Sequence, residues 1–147
     1  MSFLFRTRPV LGLLFVRLAL GVVILPHGLQ KTLGVFGGPG FQKTMEIFKT
    51  QYGFSTTAVL LLMATEVLGS LGLITGIFTR LCALAIATSL SICAYMNHIQ
   101  NGFFMNWSGQ KAGEGFEYHV LAVGMALALV LSGGGSFSID RLISREK

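Results

Sequence analysis

The chain has 147 residues, 52% of them hydrophobic and only 12% charged, with a mean hydropathy of +0.70. That balance excludes an ordinary soluble domain of this length and points to an integral membrane protein, with the lipid bilayer as its first partner. The formal charge is +5, from 11 Lys and Arg against 6 Asp and Glu, but the basic residues are scattered among apolar segments and form no patch, which argues against a nucleic-acid partner.

Arg6 and Arg8 precede a first apolar run at residues 10–29. This opening resembles a secretory signal peptide, yet the run is long and lacks an A-x-A cleavage site, so it reads as an uncleaved membrane helix. Inside it, Pro26 has no N–H to give, leaving a carbonyl of the preceding turn free, so that the end of the helix can bend and aim His27 inward. The GGPGFQKT segment that follows lacks the G-x4-G-K-[ST] spacing of a phosphate loop and no strand precedes it. Phe41, Met45 and Phe48 recur at helical spacing between polar residues, which predicts an interfacial helix lying across the bundle mouth.

A span needs about 20 mainly apolar residues. Residues 56–77, 81–98 and 116–131 also qualify, and each is expected to be helical because a lone strand cannot satisfy its backbone in lipid. A long first loop, a short turn at 78–80 and a second long loop at 99–115 predict an all-α, antiparallel four-helix membrane bundle with short interfacial helices, in one domain covering 1–147. Small residues at Gly72-x3-Gly76, Ala122-x3-Ala126 and Gly124-x3-Ala128 are candidate points of close helix approach. Cys82 and Cys93 stand eleven residues apart on the third helix, about 16 Å along its axis, too far for a disulfide within the chain. Phe103, Phe104 and Trp107 suit an aromatic belt. After Gly133-Gly134-Gly135, Ser138 can cap a short surface helix whose N-terminus Asp140 favours.

Arg6, Arg8, Arg80, Arg141, Arg145 and Lys147 fall on one side of such a bundle, and Lys31, Lys43, Lys49 and Lys111 on the other. This bias places both termini in the cytoplasm.

Ionisable groups at membrane depth are costly and need a partner or a job. Arg17 and Glu66 differ in depth by about 6 Å at 1.5 Å per residue, a gap that a long Arg side chain closes, and they are expected to pair in the bundle interior. His27, His98, Glu117 and His119 all fall near the outer helix ends. Glu117 and His119 are two apart, about 200° around a helix, so both cannot face one centre, and His119 is taken as the bystander. His27, Glu66, His98 and Glu117 are expected to border one polar pocket opening outward under the first-loop helix. Such a group can bind a metal, relay protons or hold a polar head group, and spacing alone does not choose. Without an HxxxH or ExxH pair, no metal ligands are assigned.

The string RLALGVVILPHGLQKTLGVFGGPG, Glu66 ahead of GSLGLITGIFTRLCAL, His98-x-x-NGFF, the Glu117-Tyr118 pair and the closing GGGSFSIDRL together resemble the DoxX family of small four-helix membrane proteins over nearly the whole chain. The resemblance implies a bacterial inner-membrane protein, with relatives linked to quinone-coupled oxidation of sulfur compounds. It also implies that Arg17, His27, Lys31, Glu66, Arg80, His98 and Glu117 are the family's polar positions. Glu114 and His119 depart from the expected pattern, and thiosulfate oxidation is not carried over to this chain.

The resulting expectation is a quinone-associated oxidoreductase or the membrane subunit of a redox complex. Glu66, His98, His27 and Glu117 are the candidate catalytic groups, and Arg17, His27, Lys31, Glu66, His98 and Tyr118 the candidate cofactor-binding groups. No haem-attachment or iron–sulfur cysteine set is present, so either the quinone is itself the cofactor or a redox partner protein carries the electrons; a homo-oligomer is a further admissible assembly. The competing expectation is a non-enzymatic scaffold, assembly or small-molecule-binding subunit.

Overall fold

Helix α1 runs Leu11–Leu33 in the computed structural model, which describes residues 5–145. It continues four residues past the expected end at 29, because Pro26 forfeits only one backbone bond and the helix resumes beyond it until Gly34, at φ 70°, ends it in the left-handed region. That extra turn matters for the site: His27 and Lys31 become an i, i+4 pair on one helix face.

Helix α2 (Gly40–Thr50) is the predicted first-loop helix. Its inward contact is Thr44, whose hydroxyl donates to the Lys31 carbonyl at 3.1 Å, whereas Phe41 stays exposed. Helix α3 spans Thr56–Thr75 and starts at Ser55, whose hydroxyl accepts from Ala58 N at 3.2 Å. Helix α4 spans Thr79–Asn101, α5 covers Glu117–Ser132 and α6 covers Ile139–Arg145. No strand occurs among the described residues. Two of the long helices are not α-helical throughout: a π-turn interrupts α3 at Thr65–Gly69 and another interrupts α4 at Ala94–His98.

The core lies between α1, α3, α4 and α5, and is built from such residues as Leu20, Leu73, Ile86, Leu90, Ala126 and Leu129. Close approach of α1 to α3 depends on glycines other than those expected: a Cβ at Gly28 would sit 2.9 Å from the Glu66 backbone carbon, and one at Gly21 2.9 Å from the Ser70 carbonyl oxygen. Gly124 meets nothing within 4 Å, so the Gly124-x3-Ala128 pair is not a packing point, whereas Ala122 and Ala126 are buried. The outer surface is greasy. Phe15, Leu61, Leu68, Leu81 and Leu121 all point outward, and α1, α3 and α4 are each long and apolar enough to cross a membrane. At about 25 cal/mol per Å², such a surface is stable in lipid and a liability in water.

One end of the molecule is closed by charged side chains bonded to backbone. Arg17, only 1% exposed, donates to the carbonyls of Leu73 and Ile74 at the end of α3 and to those of Gly134, Ser136 and Phe137 in the segment before α6. Arg80 donates to the Val130, Leu131 and Arg6 carbonyls. Asp140, also 1% exposed, accepts from the N–H groups of Phe78 and Thr79 at 2.8 Å each and so caps α4. The predicted surface helix α6 is therefore a docked one, held by a carboxylate that serves another helix rather than its own. Arg6, Thr7 and the segment around Gly135 meet at this end, which places both described ends of the chain together. Lys147, one of the basic residues in the orientation argument, lies outside the described residues.

Candidate functional site

The opposite end holds a cavity of about 360 Å³ between α1, α3, α4 and α5. From α1, His27 and Lys31 line it on the shared face described above, and Glu66 reaches it from the π-turn of α3. Lys31 Nζ and Glu66 Oε1 form an ion pair that is mostly buried, with Glu66 8% exposed. The expected Arg17–Glu66 pair is thus replaced. Arg17 turns instead to the carbonyls at the end of α3, which lack helical partners and lie about two turns from Glu66, while the lengthened α1 brings Lys31 to the carboxylate. Arg17 does not line the cavity.

From α4 come Ser89, Cys93 and His98, and from α5 Tyr118 and His119. His98 Nδ1–H donates to the Glu114 carbonyl at 2.9 Å, which leaves Nε2 with its lone pair. The angular argument on Glu117 and His119 holds, but with the two residues exchanged. His119 is buried on the cavity wall with its ring 4.4 Å from that of His98, whereas the Glu117 carboxylate turns away to accept from Met105 N at 3.2 Å. A first-turn carboxylate finds ready partners in the N–H groups of the adjoining loop, and that bond orients α5 so that its third residue faces inward. Glu114, set apart only as a departure from the family pattern, contributes to the wall, and its carboxylate accepts from Asn106 N at 2.6 Å.

Of the residues singled out from sequence, the structure brings together His27, Lys31, Glu66, His98 and Tyr118, and separates Arg17 and Glu117 from them. Cys93 and His119 were missed as wall residues. Nothing in the sequence marked Cys93, because five residues along an α-helix is about 140° from His98; only the π-turn between them closes that angle.

Three buried polar atoms on this wall have no hydrogen-bond partner among the described residues: Glu66 Oε2, the Tyr118 hydroxyl and His119 Nδ1. Leaving such groups unpaired costs about 1–3 kcal/mol each, so a cavity that collects three of them is suited to a polar ligand. On the α2 side, Tyr52 donates to Asn97 Oδ1, and Phe48, Tyr52 and Phe54 meet one another in tilted ring contacts and line a small pocket together with Lys31 and Glu66. On the α4–α5 side, an apolar groove of about 520 Å³ is lined by Tyr95, Ile99, Val120 and Val123, and His119 borders both this groove and the cavity. Chemically the site offers an ammonium, a carboxylate with one free oxygen, three imidazoles, a phenol and a thiol beside an apolar channel.

No curated protein and no solved structure matches the chain. The family model DoxX matches residues 12–99, which carry Arg17, His27, Lys31, Glu66, Cys93 and His98 and stop short of Glu114, Tyr118 and His119. Together with the apolar helices, that match supports a multi-pass membrane protein. It spans more than half of the 147 residues, and the chain belongs to the DoxX family.

Proposed function

We propose that the cavity binds the head group of a quinone, and that the protein acts as a quinone-associated oxidoreductase or as the membrane subunit of a redox complex. The observation that carries this is that His119 borders both a cavity of about 360 Å³ ringed by ionisable side chains and an apolar groove of about 520 Å³ on the outer face of α4 and α5. A lipid-soluble quinone has these two parts. Its carbonyl oxygens are acceptors that match Lys31, His27 and the Tyr118 hydroxyl, its isoprenoid tail matches the groove, and Glu66 is placed to exchange a proton with the bound ring. With no haem or iron–sulfur motif in the sequence, electrons enter from a partner protein.

Quinone extracted from protein purified in mild detergent and identified by mass spectrometry tests this. Wild type should retain it near one per chain, and Lys31→Met and Glu66→Gln should lose most of it. Equal retention by the variants, or none by wild type reconstituted with added quinone, excludes the proposal and leaves a binding or scaffold subunit for another molecule.

We further propose four spans in a bacterial inner membrane with both termini cytoplasmic. Helix α5, at 16 residues, is about 24 Å long and crosses with local thinning of the bilayer. In intact cells a membrane-impermeant thiol reagent should label Lys111→Cys from outside and Arg8→Cys only after permeabilisation; the reverse pattern inverts the topology.

A further inference from the structure

Cys93, His98 and His119 each present one donor atom within 4.8 Å of the other two. They arrive from two helices, and the arrangement depends on the π-turn at Ala94–His98. On an unbroken α-helix, Cys93 and His98 would point about 140° apart, whereas the wider turn, with its i→i+5 bonding, returns His98 toward the Cys93 face. His119 completes the group from α5 because Glu117 is held by the loop.

Two further observations indicate a cation. The His98 Nδ1–H bond to the Glu114 carbonyl fixes the tautomer that leaves Nε2 as a donor, which is the outer-shell arrangement metal-bound histidines almost always have. His119 is 7% exposed, and its Nδ1 has no partner among the described residues. We propose that Cys93, His98 and His119 form a binding site for a borderline-soft transition-metal ion, zinc(II) or copper(I).

The donor set selects the ion class. One thiolate and two imidazoles suit zinc and copper and are poorly matched to calcium or magnesium, which take oxygen ligands. Zn–N bonds of about 2.0–2.1 Å and a Zn–S bond of about 2.3 Å set tetrahedral donor–donor separations of about 3.3–3.6 Å, so closing from 4.8 Å takes side-chain adjustments of about 1 Å. The thiol proton is released to solvent as the thiolate bonds to the metal, with no change in oxidation state. All three residues line the cavity, so a ligand held there can occupy the metal's remaining position. The three ligands are distinct from Lys31, His27, Tyr118 and Glu66, the groups that meet the quinone head group, and the two proposals share only His119, which also borders the groove.

Full-length protein in mild detergent, stripped of metal and titrated with cobalt(II), should develop a thiolate-to-cobalt charge-transfer band saturating at one equivalent. Protein purified from cells should carry zinc or copper near one per chain, and which of the two identifies the natural ion. Cys93→Ser should abolish the band, and His119→Asn should weaken cobalt affinity by more than about 100-fold, since even outer-shell changes cost about 10–100-fold. Lys31→Met should keep the band whatever its effect on quinone retention. Circular dichroism confirms that each variant is folded, and a variant that is not is replaced by Cys93→Ala or His119→Gln. No charge-transfer band in folded wild type, an unchanged band in Cys93→Ser, or equal loss in Lys31→Met overturns the assignment.

Discussion

Arg17→Met should be the most damaging single substitution in the protein, lowering stability by about 3–5 kcal/mol, because several buried carbonyls lose their charged donor at once at about 1–3 kcal/mol each, partly offset by relaxation and water. The guanidinium is 1% exposed and donates to five carbonyls, two at the end of α3 and three before α6, so it ties α1, α3 and the C-terminal segment together. Hydrogen bonds to charged groups are worth about 1.5–3 kcal/mol each in soluble proteins and less in membranes, where the unfolded reference also finds partners. Arg17→Lys should fall between wild type and Met, because an ammonium has three donors and cannot reproduce the planar fork. Thermal unfolding in mild detergent measures both variants. A midpoint for Arg17→Met indistinguishable from wild type would show that these carbonyls do not need the guanidinium. Quinone retention at temperatures where the variant is folded should be unaffected, since Arg17 lies away from the cavity.

Breaking the Lys31–Glu66 pair should have the second largest effect, and it should act at the site as well as on stability. Lys31→Met leaves the Glu66 carboxylate buried with neither oxygen paired among the described residues. The upper bound is again about 3–5 kcal/mol, reduced to the extent that Glu66 takes up a proton instead. Lys31→Met/Glu66→Gln removes both charges and should recover most of the loss. A double-mutant cycle on thermal stability should return a coupling of about 1–3 kcal/mol for Lys31 with Glu66, and close to none for Arg17 with Glu66. Additive effects at Lys31 and Glu66, or strong coupling of Arg17 to Glu66, would restore the pairing that depth along the helices had suggested.

The expected Arg17–Glu66 pair shows why depth was insufficient. Rise per residue correctly placed Arg17 and Glu66 within one side-chain length of each other, but gave no account of competitors. The carbonyls at the end of α3 are orphaned by helix geometry itself, and α1 runs a turn further than its apolar run, carrying Lys31 to Glu66. The polar residues near the first and last turns behaved similarly. Ser138 caps α6 as expected, its hydroxyl accepting from Arg141 N at 3.3 Å, but Asp140, expected only to favour that N-terminus, caps α4, because the segment folds back onto the α3–α4 turn.

By itself the sequence determined the helical class, the apolar segments and the family, because a bilayer requires long apolar runs with internally satisfied backbones and leaves little freedom in how to build them. It also determined that His27, Glu66 and His98 needed an explanation, since ionisable groups at that depth are expensive. Tertiary structure alone decided which groups converge. Periodicity assigns a helix face only while the turn stays at 3.6 residues, and each π-turn inserts a residue that rotates all that follows by about 100°. One such turn carries Glu66 and the other separates Cys93 from His98, so the faces that form the site are those that a regular helical wheel misplaces. The choice of His119 over Glu117 was likewise made by a loop amide at Met105, a contact between segments that no local pattern encodes.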